Sequence, residues 1–176
     1  TVRRLVLDQE DREITSLLRK DTVVGAAGLQ RELAILFSDI RGFTAFSEAL
    51  SPYDLIHVLN RYFHQIGPVV ERHGGSINNF MGDGFMALFG LKDPKDAALR
   101  AVRAGFEILE AAQRYNPHVR NLYNRVFRVG VGIHVGTVVV GAIGSQTNMR
   151  VTAIGDAVNF ASRVESENKP AGTEFL

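Results

Sequence analysis

The stretch Leu33-Ala34-Ile35-Leu36-Phe37-Ser38-Asp39-Ile40-Arg41-Gly42-Phe43-Thr44 decides the fold. Its first five residues are a continuous apolar run, the mark of a strand buried on both faces at the centre of a sheet. The run ends in Ser38-Asp39, so the strand delivers a carboxylate at its end. Gly42 then permits a turn that opens a helix, and such a turn offers backbone amides to phosphate oxygens. Taken alone, a strand-end aspartate is more often a cap or turn residue than a metal ligand.

Working outward, Pro52 stands where a first helical turn tolerates proline, and Leu55, Leu59, Tyr62, Phe63 and Ile66 recur at helix spacing until Pro68 interrupts. Val69 and Val70 carry the apolar face on to a stop at His73-Gly74-Gly75. Ser76 to Phe80 and Gly84 to Phe89 read as a hairpin with Gly82-Asp83-Gly84 at its tip. A second helix presents Ala97, Ala101, Ala104, Ile108 and Ala111, and the polar run Gln113 to Asn124 is expected to separate it from the next strand. Phe127 to His134 and Thr137 to Ile143 read as a hairpin turning at Val135-Gly136, Thr152 to Ile154 as a brief strand, and Asp156 to Glu165 as a helix. This irregular alternation of hairpins and crossovers indicates an α+β fold, with helices packed on a largely antiparallel sheet.

Residues 1–31 are charged and small in character and read as a leader or linker, leaving 32–176 as one domain. The 176 residues are 45% hydrophobic and 22% charged, which excludes intrinsic disorder as the design of the whole. Twenty basic residues nearly balance nineteen acidic ones, and like charges form no block, so a nucleic-acid partner is not expected. The absence of cysteine excludes disulfides and thiolate metal sites and fits a reducing compartment. The longest apolar stretch, Val131 to Ile143, is broken by Gly132, His134, Gly136 and Gly141 and is too short to span a bilayer.

Chemistry concentrates in three places. Asp39 ends its strand beside a glycine turn. Asp83 sits between two glycines in Asn79-Phe80-Met81-Gly82-Asp83-Gly84, where a second group can approach closely; alone, Asp-Gly is an ordinary turn. As a pair, the two carboxylates suit hard divalent cations that clamp a triphosphate. In Thr152-Ala153-Ile154-Gly155-Asp156-Ala157-Val158-Asn159-Phe160-Ala161-Ser162-Arg163, Asn159 and Arg163 fall four apart on one helical face. An amide beside a guanidinium suits a sugar oxygen and a phosphoryl oxygen, although the same pattern also describes an ordinary solvated face.

Phe-Ser-Asp-Ile-Arg-Gly-Phe-Thr, Met-Gly-Asp-Gly and Gly-Asp-Ala-Val-Asn-Phe-Ala-Ser-Arg, in this order, resemble the class III nucleotidyl cyclases from about Glu32 onward. The resemblance implies a ferredoxin-like cyclase-homology fold and a homodimer whose sites lie between subunits. It further implies that Asp39 and Asp83 bind two divalent ions (Mg²⁺ or Mn²⁺), assisted by the carbonyl of Ile40. Amides near Phe43 and Thr44 would touch phosphate, Asn159 would orient the ribose, and Arg163 would stabilise charge on the α-phosphate. The family usually reads the purine with a lysine three residues before the Gly-Asp of the hairpin and an aspartate or threonine three before the glycine of the last motif. Here these positions hold Asn79 and Thr152. Thr152 fits an adenylate-forming bacterial subgroup, and the glutamate typical of guanylate-forming members is missing at Asn79. The expected reaction is therefore ATP to 3′,5′-cyclic AMP and pyrophosphate. The alternatives are a guanylate cyclase and a non-catalytic cyclase-homology module for dimerisation and signalling.

The resemblance also implies an upstream sensory domain and a cytoplasmic catalytic domain, and says nothing of membrane attachment. The family usually continues past the segment that is here Lys169 to Gly172, so a domain truncated at its C-terminus is expected.

Overall fold

A computed structural model describes residues 28–145 and 148–176. The leader expected over 1–31 lies, up to residue 27, outside the described residues. Its last residues are strand: β1 runs Leu29–Ile40 and is the middle strand of the sheet. The chain continues through α1 (Phe43–Ser47), α2 (Pro52–Arg72), β2 (Gly75–Met81), β3 (Gly84–Phe89), α3 (Ala97–Tyr123), β4 (Val129–Ser145), β5 (Asn148–Ile154) and α4 (Asp156–Ala171). The sheet order is β2-β3-β1-β4-β5, and all its strand pairs are antiparallel. The architecture is α+β, as the sequence indicates.

Side chains alternate across β1. Ala34, Leu36 and Ile40 face α2 and α3, and meet Val58, Tyr62, Ile66, Val70, Ala104 and Ile108 in the larger core. Leu33 and Ile35 point to the opposite face, where a second core holds Met86, Leu88, Val138 and Val140 under Ala157 and Ala161 of α4. Helices on both faces explain why β1 is apolar without alternation.

Both long helices run further than their prolines suggest. In α2, Pro68 lies inside one continuous helix because Ile66, Val69 and Val70 are all buried beside it. An interior proline costs about 3 kcal/mol, whereas each fully buried valine or isoleucine contributes about 1.5–3 kcal/mol, so burial wins. In α3 the polar run expected to be a loop is helical to Tyr123, with Pro117 inside it and Tyr115 and Val119 buried on its inner face.

The hairpin expected around Val135-Gly136 does not form: β4 is one strand of 17 residues. It pairs with β1 through Val140 and with β5 from Val139 onward. Its glycines serve close approach by α4 instead of a turn. A Cβ on Gly136 would lie 2.7 Å from the Cβ of Ala157, and one on Gly132 would lie 2.2 Å from the backbone nitrogen of Glu165. Beyond β1, β4 curls over the sheet, because Val151 and Ala153 of β5 share a core with Met86 and Leu88 of β3 although β5 is paired only to β4. Phe175 forms a parallel bridge with Val131 along β4.

Candidate active site

β1 and β3 lie side by side in antiparallel register, Ser38 opposite Phe85. The end of β1 therefore meets the β2–β3 turn, and Asp39 meets Asp83. Gly84 makes the approach possible: a Cβ there would lie 2.8 Å from the Ser38 carbonyl oxygen and 3.0 Å from Oδ1 of Asp39. Gly82 turns the chain with φ of 68°, in the left-handed region that favours glycine. The Oδ1 atom of Asp39 accepts from the backbone N–H of Ile40 at 3.0 Å, which fixes the carboxylate at the strand end.

The two carboxyl groups are within hydrogen-bonding reach of each other. Partial burial, then the charge of Asp39 and the bond to it, push the Asp83 carboxyl from 3.8 up to about 6. A third acid, Glu165 of α4, adds to this field. Its own carboxyl is raised, chiefly by burial and then by Asp39, with Arg41 partly offsetting the effect. Beneath the pair, the buried Tyr62 phenol is pushed well above its ordinary range, first by burial, then by Asp39 and Asp83 against an opposing contact from Ser38. The Ser38 and Tyr62 hydroxyls approach each other without a well-formed hydrogen bond.

This donor set fits a divalent cation of the magnesium type. Among the described residues no group of three or more His, Cys, Asp or Glu side chains forms a cage. Mg²⁺ does not require one, since it keeps several waters and binds through one or two carboxylates together with substrate phosphates. Two carboxylates brought together against their mutual repulsion, with the Ile40 backbone alongside, are what such an ion needs.

The other expected residues fall into two groups. Phe43 and Thr44 open α1 just after Gly42, whose φ of 67° lies in the left-handed region that favours glycine. The amides of Phe43 and Thr44 precede the first helical bond, which runs from the Phe46 N–H to the Gly42 carbonyl. Asn159 and Arg163 lie exposed on α4, and among the described residues neither bonds to Asp39 or Asp83. One chain thus leaves its asparagine-arginine pair exposed and without a bond to its own carboxylates. Thr152 sits half-buried on β5, and its hydrogen-bond partner across the structure is Asn78. Asn79 is exposed on β2. A cavity of about 670 Å³ opens near the start of β1, lined by residues such as Arg31, Leu91 and Ala97, and includes none of these site residues.

Sequence reasoning missed Asn78 and Glu165. A bulge in β2 turns Asn78 toward Thr152, and strand alternation carries no sign of a bulge. Glu165 was visible only as the end of a helix, and its place beside Asp39 depends on Gly130 and Gly132 letting α4 cross β4 closely.

The sequence profile of the family described as Adenylate and Guanylate cyclase catalytic domain matches residues 27–172. The chain belongs to this family. The adenylate cyclase of Anabaena cylindrica is 39% identical over 157 residues, covering 87% of this cyclase-family chain and 30% of that protein. Among solved structures, the guanylyl cyclase Cya2 is 43% identical with a TM-score of 0.78, covering 81% of this chain and 73% of the other. The adenylyl cyclase CyaB from P. aeruginosa is 34% identical with a TM-score of 0.76, covering 81% and 74% respectively. The chain spans less than a third of the length of the Anabaena relative. Among the described residues no helix is long and apolar enough to cross a membrane.

Proposed function

We propose that the domain that begins with β1 converts ATP to 3′,5′-cyclic AMP and pyrophosphate at the interface of a homodimer. The observation that carries this reading is the meeting of Asp39 and Asp83 at the end of two neighbouring strands, where burial and then the charge of Asp39 raise Asp83 to about 6. A fold that stores this repulsion gains most when a cation and a triphosphate join the pair.

In the reaction the ribose 3′-oxygen attacks the α-phosphorus and loses its proton. The bond from that phosphorus to the bridging oxygen breaks in line, and pyrophosphate leaves. Two Mg²⁺ or Mn²⁺ ions held by Asp39, Asp83 and the Ile40 carbonyl would supply charge neutralisation for the phosphates and acidify the attacking hydroxyl. The amides of Phe43 and Thr44 face the phosphates. Asn159 of the opposite subunit orients the ribose, and its Arg163 offsets charge growing on the α-phosphate. Their exposure on α4, without a bond to their own chain's carboxylates, supports this sharing between subunits. Exposed Phe160 on the same helix and exposed Val139, Ile143 and Ile154 on β4 and β5 supply apolar surface for isologous contact.

The base is read from Asn79 and Thr152. ATP is supported by Thr152 and by the likeness to adenylate cyclases, while the likeness to guanylyl cyclase Cya2 makes GTP the second reading. The domain acts in the cytoplasm, where nucleoside triphosphates are available, with the residues before β1 linking it to an upstream sensory domain.

The test is product formation by the purified chain with Mg²⁺ or Mn²⁺, with ATP and GTP in parallel over a range of protein concentrations. Cyclic AMP rising more steeply than protein concentration, and abolished by a chelator, is expected. No product from either nucleotide would instead indicate a signalling module without turnover.

A further inference from the structure

β2 carries one residue too many for its partner: Ile77 opposes Ala87 and Asn79 opposes Met86, so Asn78 is the extra residue of a bulge. Its side chain reaches β5, at the far edge of the sheet order, because β4 curls and brings β5 across the face. There Nδ2 of Asn78 donates to the Val151 carbonyl at 2.6 Å. A backbone carbonyl can only accept, which fixes the orientation of the amide. Oδ1 must then face Thr152, whose hydroxyl donates to it at 3.0 Å. A hydroxyl has one proton, and here it is spent. Thr152 has only lone pairs left to offer a ligand.

We propose that Asn78 is a specificity-determining positioning residue, holding Thr152 as an acceptor so that the site takes a 6-aminopurine nucleotide and rejects a 6-oxopurine one. Adenine presents an N–H donor at its six position and guanine presents an oxygen acceptor there. Against Thr152 held in this way, the first pairs and the second leaves two acceptors face to face. Such an unpaired contact discriminates far more strongly than a change of shape. The exposed amide of Asn79 can donate or accept and therefore discriminates little by itself. The inference rests on the proposed reading of Thr152 as a base contact.

The experiment measures kcat/KM for ATP and for GTP with the whole chain and four variants, each first checked by thermal melting. Asn78→Ala frees the Thr152 hydroxyl to rotate and donate, and the ATP-to-GTP ratio should fall about tenfold or more. Asn78→Leu, similar in volume and without polar atoms, carries the same expectation and serves if the alanine variant does not fold. Asn78→Asp still accepts from Thr152 while losing the bond to Val151, so it should melt lower and keep the ratio. Thr152→Val should lower kcat/KM for ATP and relax the ratio. If Thr152→Val leaves the ratio intact, Thr152 is no base contact and the underlying reading falls with the inference. If Thr152→Val relaxes the ratio but Asn78→Ala and Asn78→Leu do not, the base contact stands and the role of Asn78 is overturned. If Asn78→Asp relaxes it as much as Asn78→Ala, the acceptor argument is overturned and Asn78 acts only through packing.

Discussion

Gly132→Ala should be among the most damaging single-methyl changes in this chain. The added Cβ would lie 2.2 Å from the backbone nitrogen of Glu165 and 2.4 Å from its Cα, where ordinary contact begins at 3.4 Å. Backbone cannot rotate aside as a side-chain tip can, so α4 must recede from β4 by roughly 1 Å, a displacement able to cost about a hundredfold in turnover. Overpacking of this kind costs about 1–3 kcal/mol. At this chain length each kcal/mol lowers the melting temperature by roughly 2–4 °C. The same shift carries Asn159 and Arg163 with it, so cyclic AMP production should drop more than stability does. Gly67→Ala is the control: outside its own helix and chain neighbours this buried glycine has no heavy atom within 4 Å of a built Cβ, so the one crowding alanine meets is with the ring of the following Pro68, and the change should cost less than Gly132→Ala and leave turnover nearer to wild type. Melting curves and initial rates on both variants decide the matter. A Gly132→Ala protein with unchanged melting temperature and turnover would refute the claim that α4 is seated directly on the glycines of β4.

Other outcomes follow from the carboxylate cluster. Because Asp83 titrates at about 6 when folded against 3.8 unfolded, the folded chain binds more protons between these values. In chelator-treated protein its contribution to stability is therefore greatest below pH 4 and is lost as pH rises through 6. Asp83→Asn should flatten that part of a melting-temperature profile against pH while abolishing turnover at neutral pH; an unchanged profile would contradict the pairing with Asp39. Arg163→Ala, on an exposed helix position, should leave the melting temperature within about 2 °C, since surface changes stay near ±0.5 kcal/mol. It should nevertheless cost turnover about a hundredfold or more, as removal of one transition-state donor does, and initial rates beside melting curves check both halves.

Much of this was legible in the sequence because the relevant signals are local. Leu33 to Phe37 announces a buried strand, and the Gly-Asp-Gly of the hairpin announces a turn, so the meeting of Asp39 and Asp83 needed only that their strands be neighbours. The errors share one cause. Pro68, the polar run Gln113 to Asn124 and the glycines of β4 are read for what they do in an isolated chain, where proline breaks helices, polar runs make loops and glycine makes turns. In the folded protein Val69, Val70 and Val119 gain enough by burial to carry the helices past the prolines. The glycines of β4 answer to a helix more than twenty residues later in the chain. Asn78 gives no sequence signal for a related reason: a bulge changes the face on which a residue points, and only the partner strand reveals it. Glu165 gave no sequence signal as a neighbour of Asp39 because the crossing of α4 over β4 brings them together.

The most direct test of the account is complementation between two inactive variants, Asp83→Asn and Arg163→Ala, mixed in equal amounts and assayed for cyclic AMP. If each site takes its carboxylates from one chain and its arginine from the other, half the dimers are mixed and each holds one intact site of two. Activity should then recover to about a quarter of wild type. Recovery no greater than the sum of the two variants alone, in a mixture shown to exchange subunits, would contradict a site shared between two copies of this chain.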